Sequence, residues 1–192
     1  MTEEKRKGFG THPVRDSVLH ALRNTGDSCA ATREVVSGAI RLTLAAAKRA
    51  GSSTVGAVTH VALGAVRGAL EFGSDLTEAC KGIMTGVLDG SAERGEAALR
   101  TISHTARTVI HHTAMTESGV TAATTGLVEG AIQCALDHGV DVTRAASAAA
   151  QGALEGAEEV GFAASEQVRA ATSGGFHGVR IMLLPPYQRQ EL

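Results

Sequence analysis

The chain has 192 residues, a formal net charge of −2 and 43% hydrophobic residues. The apolar content is too high and the net charge too small for a disordered chain, and the length fits one folded unit. Acids and bases are interspersed, so the sequence lacks the clustered basic face that nucleic-acid binding requires, and we expect no nucleic-acid partner.

The apolar residues are small: there is no Trp, there are one Tyr and four Phe, and there are 23 Gly. Such a core must form by close approach of thin helices. Three cysteines without CxxC spacing, and an N-terminus without an apolar secretory stretch, favour a cytoplasmic location. Charged residues interrupt every window of about 18 residues that a membrane span would need.

In chain order, residues 1–14 mix charges, glycine and proline, and we predict a flexible leader there. A single helical domain is expected over 15–175, starting with a helix at Arg15–Asn24. Residues 176–192 are predicted to be a C-terminal segment and tail, which we expect to cap the helices.

The pattern of residues over 28–161 predicts six helices that repeat at a constant step of 22 residues. The chain contains no proline there, and each unit ends near one of these residues: Gly51, Gly73, Gly95, Glu117, Gly139 and Gly161. Seven residues before each end stands an aliphatic residue: Leu44, Val66, Leu88, Ile110, Ile132 and Leu154. Units of this length cannot bury their apolar faces alone, so neighbours must stack. After Gly73, Asp75 and Glu78 are placed for a helix cap and a capping box.

A second period of 44 residues appears thirteen positions before each end, where small and large residues alternate: Gly38, His60, Gly82, His104, Gly126 and Ala148. Antiparallel helix pairs produce such an alternation when odd and even helices have different neighbours. The predicted fold is therefore an all-α antiparallel array or bundle of tandem 22-residue helices, paired at 44 residues.

Glycines recur four residues apart on the side of the helices opposite the aliphatic residues. They are Gly64, Gly68, Gly82, Gly86, Gly90, Gly126, Gly130, Gly152 and Gly156. A glycine inside a helix costs about 1 kcal/mol relative to alanine, so close contact must recover this cost. We predict that these nine residues are helix-packing positions.

Four histidines, His60, His104, His111 and His112, are the candidates for a metal or haem site, because imidazoles on facing helices make a plausible pair of nitrogen ligands. The sequence lacks the ExxH and HExxH pairs of helical metal sites, which favours a packing role for His60 and His104. It also lacks a nucleophile elbow, a P-loop and a dinucleotide fingerprint. We therefore expect neither an enzyme nor a cofactor.

The expected function is that of a non-enzymatic structural or interaction protein, acting through self-association into a homo-oligomer or through a protein partner. One alternative is a peripheral protein of a lipid or granule surface. The 22-residue period over 28–161 resembles the amphipathic repeats of exchangeable apolipoproteins and synucleins, which implies lipid binding. The chain departs from them in having glycine at its boundaries and no lysine-rich repeat core. The second alternative is a metal- or haem-binding bundle built on the four histidines.

Overall fold

The computed structural model describes residues 11–50, 54–116, 119–176 and 178–183. The predicted all-α fold is confirmed for these residues, which contain no strand and only an isolated β-bridge between Phe176 and Val179. The helices are α1 Thr11–Asn24, α2 Ser28–Ala50, α3 Thr54–Phe72, α4 Leu76–Ser91, α5 Gly95–Met115, α6 Val120–His138, α7 Val142–Glu158 and α8 Phe162–Thr172. No helix in the described ranges is long and apolar enough to cross a bilayer.

The predicted flexible leader overlaps the first helix. Helix α1 begins at Thr11, so residues 11–14 are helical rather than irregular. Pro13 stands in the first turn, where its missing N–H leaves no helical hydrogen bond unmade. Residues 1–10 lie outside the described ranges.

Two of the predicted helix ends follow from turn chemistry. Gly73 and Gly139 have φ of +71° and +68°, a left-handed conformation that costs glycine little and other residues more. The chain then turns into a helix whose N-cap is an aspartate. The Asp75 carboxylate accepts hydrogen bonds from the backbone N–H groups of Thr77 and Glu78 at 2.9 and 3.3 Å. The predicted cap at Asp75 is confirmed, and the helices fold back at these glycines.

The boundary predicted at Gly95 is wrong. Helix α4 already ends at Ser91, and Ala92 takes the left-handed conformation with φ +54°. Gly95 is instead the first residue of α5. Glycine is compatible with either end of a helix, so its presence alone did not fix the boundary. The boundaries predicted at Gly51 and Glu117 lie outside the described residues.

The helices form two rows. In the odd row α1, α3, α5 and α7 contact one another in turn, and in the even row α2, α4, α6 and α8 do the same. The most extensive contacts join α1 to α3, α2 to α4, α4 to α6 and α5 to α7. In each pair, one helix of the other row lies between the two along the chain. Short turns make consecutive helices antiparallel, so helices within a row run in the same direction.

The core lies between the rows and is built from small aliphatic residues. The positions that were predicted to form an aliphatic column are buried at Val66, Leu88, Ile110 and Leu154. Alanine fills the space between them, especially in α7, where Ala145, Ala146, Ala149, Ala150 and Ala153 are fully buried. These aliphatic side chains face other helices of the chain.

Candidate functional site

The nine glycines predicted to be helix-packing positions all face a helix of the same row. A carbon atom placed at the Cβ position of any of them would lie closer than 3.0 Å to a heavy atom of the helix two positions earlier. At Gly86, for example, that atom is the Arg33 carbonyl oxygen, at 2.7 Å. Real Cβ atoms do not approach so closely, so a larger residue at these positions requires the helices to move.

Helix α5 departs from this pattern on the side that faces α3. At the positions where α4 has Gly82, Gly86 and Gly90, α5 has His104, Thr108 and His112. The contact between α3 and α5 is also less extensive than that between α5 and α7. The larger polar side chains therefore stand where two helices of one row are apart.

A cleft of about 380 Å³ lies between these two helices, and we call it the α3–α5 cleft. Helices α3 and α5 and the residue after α7 supply its lining: Thr59, Leu63 and Arg67; His104, Arg107, Thr108, His111, His112 and Met115; and Glu159. Three of the four predicted histidine candidates thus come together in one place. The fourth, His60, is exposed and does not line the cleft.

Part of the cleft is tied together by hydrogen bonds. The Thr59 hydroxyl lies 2.8 Å from His104 Nε2. On the other side, Glu159 forms an ion pair with Arg107 and lies 3.1 Å from His111 Nδ1. These contacts hold His104, His111 and Arg107 in place.

Burial lowers the pKa of His104, and the charge of Arg107 lowers it further, while a hydrogen bond with the Val55 backbone raises it in part. The pKa of His112 is lowered in the same way, by burial and then by Arg67 and His111. Both imidazoles are therefore neutral near pH 7, and each has one N–H donor and one nitrogen acceptor. Over the described ranges, no three His, Cys, Asp or Glu side chains are grouped closely enough to hold a metal ion.

A second polar cluster joins three helices of the even row, and the sequence reasoning missed it. Arg33 Nε donates to Asp89 at 2.6 Å, His138 Nε2 lies 3.1 Å from the same carboxylate, and Arg94 lies 2.6 Å from His138 Nδ1. The hydrogen bond with Asp89 raises the pKa of Arg33. The hydrogen bonds of Asp89 thus link α4 to both α2 and α6.

The outer face of α2 is the second surface of interest. This α2 face consists of Glu34, Gly38, Arg41, Leu42 and Ala45, which lie on the side of the helix opposite α4. The Leu42 side chain is 63% exposed, and a Cβ placed at Gly38 would meet nothing within 4 Å. Glu34, Gly38 and Leu42 also line a groove of about 780 Å³ between α1 and α2, whose α1 side includes Asp16 and His20. Gly38 and Gly82 are equivalent positions of the 22-residue repeat. They differ because α2 is the first helix of the even row, whereas α4 packs on α2.

Comparisons with protein families, with curated proteins and with solved structures give no match to this chain.

Proposed function

We propose that this protein is a non-enzymatic helical-repeat interaction protein that pairs with a second copy of itself through the α2 face. In this proposal the 22-residue units stack into the two rows, and the glycines allow helices of one row to approach closely. The close packing of the nine glycines supports this role, since a Cβ atom at any of them would collide with the preceding helix of its row.

The four ends of the two rows differ in their surfaces, and the end formed by α2 carries the proposal. The outer side of α1 has the polar residues Asp16, His20 and Asn24. The outer side of α8 presents Glu166 and Gln167, both exposed, and the exposed Phe162 stands at the start of this helix.

At the end of the odd row, the chain after α8 covers α7. The Met182 backbone N–H donates to the Ser147 hydroxyl at 3.0 Å. Val179, Ile181 and Leu183 pack against the core beside it. Repeat arrays require polar or covered ends for solubility, and the polar outer side of α1 and the covered α7 meet that requirement.

The α2 face differs from the other three ends. It combines an open glycine with an exposed leucine and an exposed alanine, the composition of a helix-contact surface. A second α2 face is a partner that this chain itself offers. Pairing of two identical faces closes a two-fold dimer.

Charge also favours antiparallel pairing of the two helices with the two-fold axis at Gly38. Residues equally far before and after Gly38 then face each other, so Glu34 of one copy lies opposite Leu42 of the other, and Arg41, one residue before Leu42, lies next to that contact. The axis generates this Glu34–Arg41 pair twice. One helix face buries little area, so we expect dimerisation at about micromolar concentrations or above.

Sedimentation velocity over a range of protein concentrations tests the pairing. We expect Leu42→Asp to abolish the dimer. Leu136→Asp is the matched control, because Leu136 is 64% exposed on α6 and lies away from the α2 face. Equal loss of dimer in both variants, or a wild-type protein that stays monomeric throughout, would refute self-association through α2.

A charge exchange tests the antiparallel geometry. Glu34→Arg and Arg41→Glu should each weaken the dimer by about tenfold, because each introduces two like-charge contacts. The double variant should recover most of the wild-type affinity. If the double variant dimerises no better than either single variant, the two helices do not meet at Gly38.

Disulfide trapping tests the axis directly. In a Cys29→Ser background, Gly38→Cys should give an oxidised covalent dimer, because residues on the axis bring their Cβ atoms together. Gly56→Cys, whose Cβ also has open space, should not. Binding of vesicles that depends on Leu42, without dimerisation, would instead favour the lipid-surface alternative.

A further inference from the structure

The α3–α5 cleft contains three polar side chains that form no hydrogen bond or ion pair within the described part of the chain. Among the described residues, Arg67 has no ion-pair or hydrogen-bond partner, and neither the Thr108 hydroxyl nor the His112 ring has a hydrogen bond. The remaining polar residues are already used, since Arg107 and His111 are with Glu159 and His104 is with Thr59. The cleft therefore presents one free guanidinium, one free hydroxyl and one free imidazole.

The charge of the cleft is positive. Arg67 and Arg107 carry two positive charges, Glu159 carries one negative charge, and the imidazoles of His104 and His112 are neutral near pH 7. A ligand of charge −1 would balance this excess. A carboxylate suits a single free guanidinium, because its two oxygens accept a parallel pair of N–H bonds.

The wall of the cleft is apolar beside these donors. Leu63 is half-buried, and Met115 is 65% exposed. Methionine adapts its shape to a bound apolar group at little cost. A volume of about 380 Å³ accommodates a small molecule.

The sequence supports a ligand role for the same residues. In α3, α4, α6 and α7, two or three of the positions that face the preceding helix of the row are glycines, and in α5 the corresponding positions are His104, Thr108 and His112. Residues that break a local rule without a gain in packing are expected at functional sites. Here the loss of helix contact is accompanied by a cleft with free donors.

We infer that the α3–α5 cleft binds a small monocarboxylate with a short apolar chain. In this arrangement the Arg67 guanidinium, the Thr108 hydroxyl and the His112 imidazole donate to the carboxylate, and Leu63 and Met115 contact the chain. This site is independent of the α2 face, which lies in the other row.

Binding is coupled to a proton on His112. In the free protein, its pKa is lowered by burial, by Arg67 on α3 and by His111 on α5. Glu159, the acidic group that lines the cleft, is held by Arg107 and His111. A bound carboxylate next to His112 raises this pKa, so the complex takes up protons as it forms. Affinity must then rise as the pH falls towards 6.

Titration with hexanoate, followed by calorimetry and by the imidazole carbon–proton NMR signals, tests the inference. We expect saturable binding, shifts at His112 and an affinity several-fold higher at pH 6 than at pH 8. Arg67→Gln should weaken binding by about tenfold or more, because a charge-assisted hydrogen-bond pair is lost. Arg100→Gln is the control, since it removes an equal charge from an exposed position of α5 outside the cleft.

Two further measurements separate the parts of the site. His112→Gln keeps a donor and removes the titration, so it should bind hexanoate with an affinity that varies less with pH. Hexanol and inorganic phosphate, each lacking half of the ligand, should bind more weakly than hexanoate. Equal binding of hexanoate and hexanol, phosphate binding as tight as hexanoate binding, or unchanged affinity in Arg67→Gln would each overturn the inference. Arg67 is exposed, and a thermal melt establishes that its variant is folded.

Discussion

Replacement of Gly126 by alanine should destabilise the protein although it improves the helix. Gly126 lies inside α6, where alanine favours a helix by about 1 kcal/mol relative to glycine. Its Cβ, however, would collide with the Thr77 carbonyl oxygen of α4 and lie 3.1 Å from Cys80 Cβ. Backbone atoms of a packed helix cannot rotate away as a side chain can, so α4 and α6 must separate.

The size of the effect follows from these two opposing contributions. Overpacking of a core by one carbon costs about 1–3 kcal/mol, and a backbone neighbour places this site in the upper part of that range. After the gain in helix propensity, we expect a net loss of about 1–2 kcal/mol. For a chain of this length, that lowers the melting temperature by about 2–8 °C.

Gly38→Ala provides the matched control. Gly38 also lies inside a helix, but a Cβ there meets nothing within 4 Å, so only the propensity gain of about 1 kcal/mol remains. We expect its melting temperature to rise by about 2–4 °C when measured at a concentration where the protein is monomeric. Scanning calorimetry of the two variants gives the answer. If both alanines stabilise the protein equally, close approach at Gly126 is not needed for the fold.

Three other predictions concern caps, thiols and the even row. Asp75→Ala should lower the free energy of unfolding by about 1 kcal/mol in a calorimetric melt, while Asp75→Asn, which can still cap, should lose far less. Burial raises the pKa of the Cys80 and Cys134 thiols to about 12, so at pH 8 a thiol reagent should label only the partly exposed Cys29, and a second labelled thiol would contradict this. Asp89→Asn removes the charge that joins α2 and α6 to α4, and we expect a loss of about 1–2 kcal/mol in guanidinium unfolding; an unchanged midpoint would mean that the cluster contributes nothing.

The sequence predicted the helices well because their signals are local. Gly73 and Gly139 require a left-handed turn, and Asp75 caps the helix that follows. Aliphatic positions such as Val66 could be assigned to the core from their spacing alone. At Ala92 the prediction failed, since the αL residue is not a glycine and Gly95 starts a helix.

Contacts between helices were harder to predict, because the 22-residue period does not determine which helices pack against each other. The 44-residue alternation predicted antiparallel pairs but not that the most extensive contacts would join helices two positions apart along the chain. The two histidines of one column also differ, since His60 is exposed and His104 lines the α3–α5 cleft. Neither the cleft nor the α2 face could be found without knowing what lies opposite each helix.

Equivalent positions of the 22-residue repeat thus have different surroundings in different helices. Gly82 faces the backbone of a preceding helix, Gly38 faces open space because α2 is first in its row, and His104 faces the α3–α5 cleft. The α2 face lies in the even row and the cleft in the odd row, so a ligand in the cleft makes no differential contact with monomer and dimer. Hexanoate at saturation should therefore leave the dimer dissociation constant unchanged, and dimerisation should leave the affinity for hexanoate unchanged, because coupling between two sites is reciprocal. A shift in either constant would mean that the two rows move against each other.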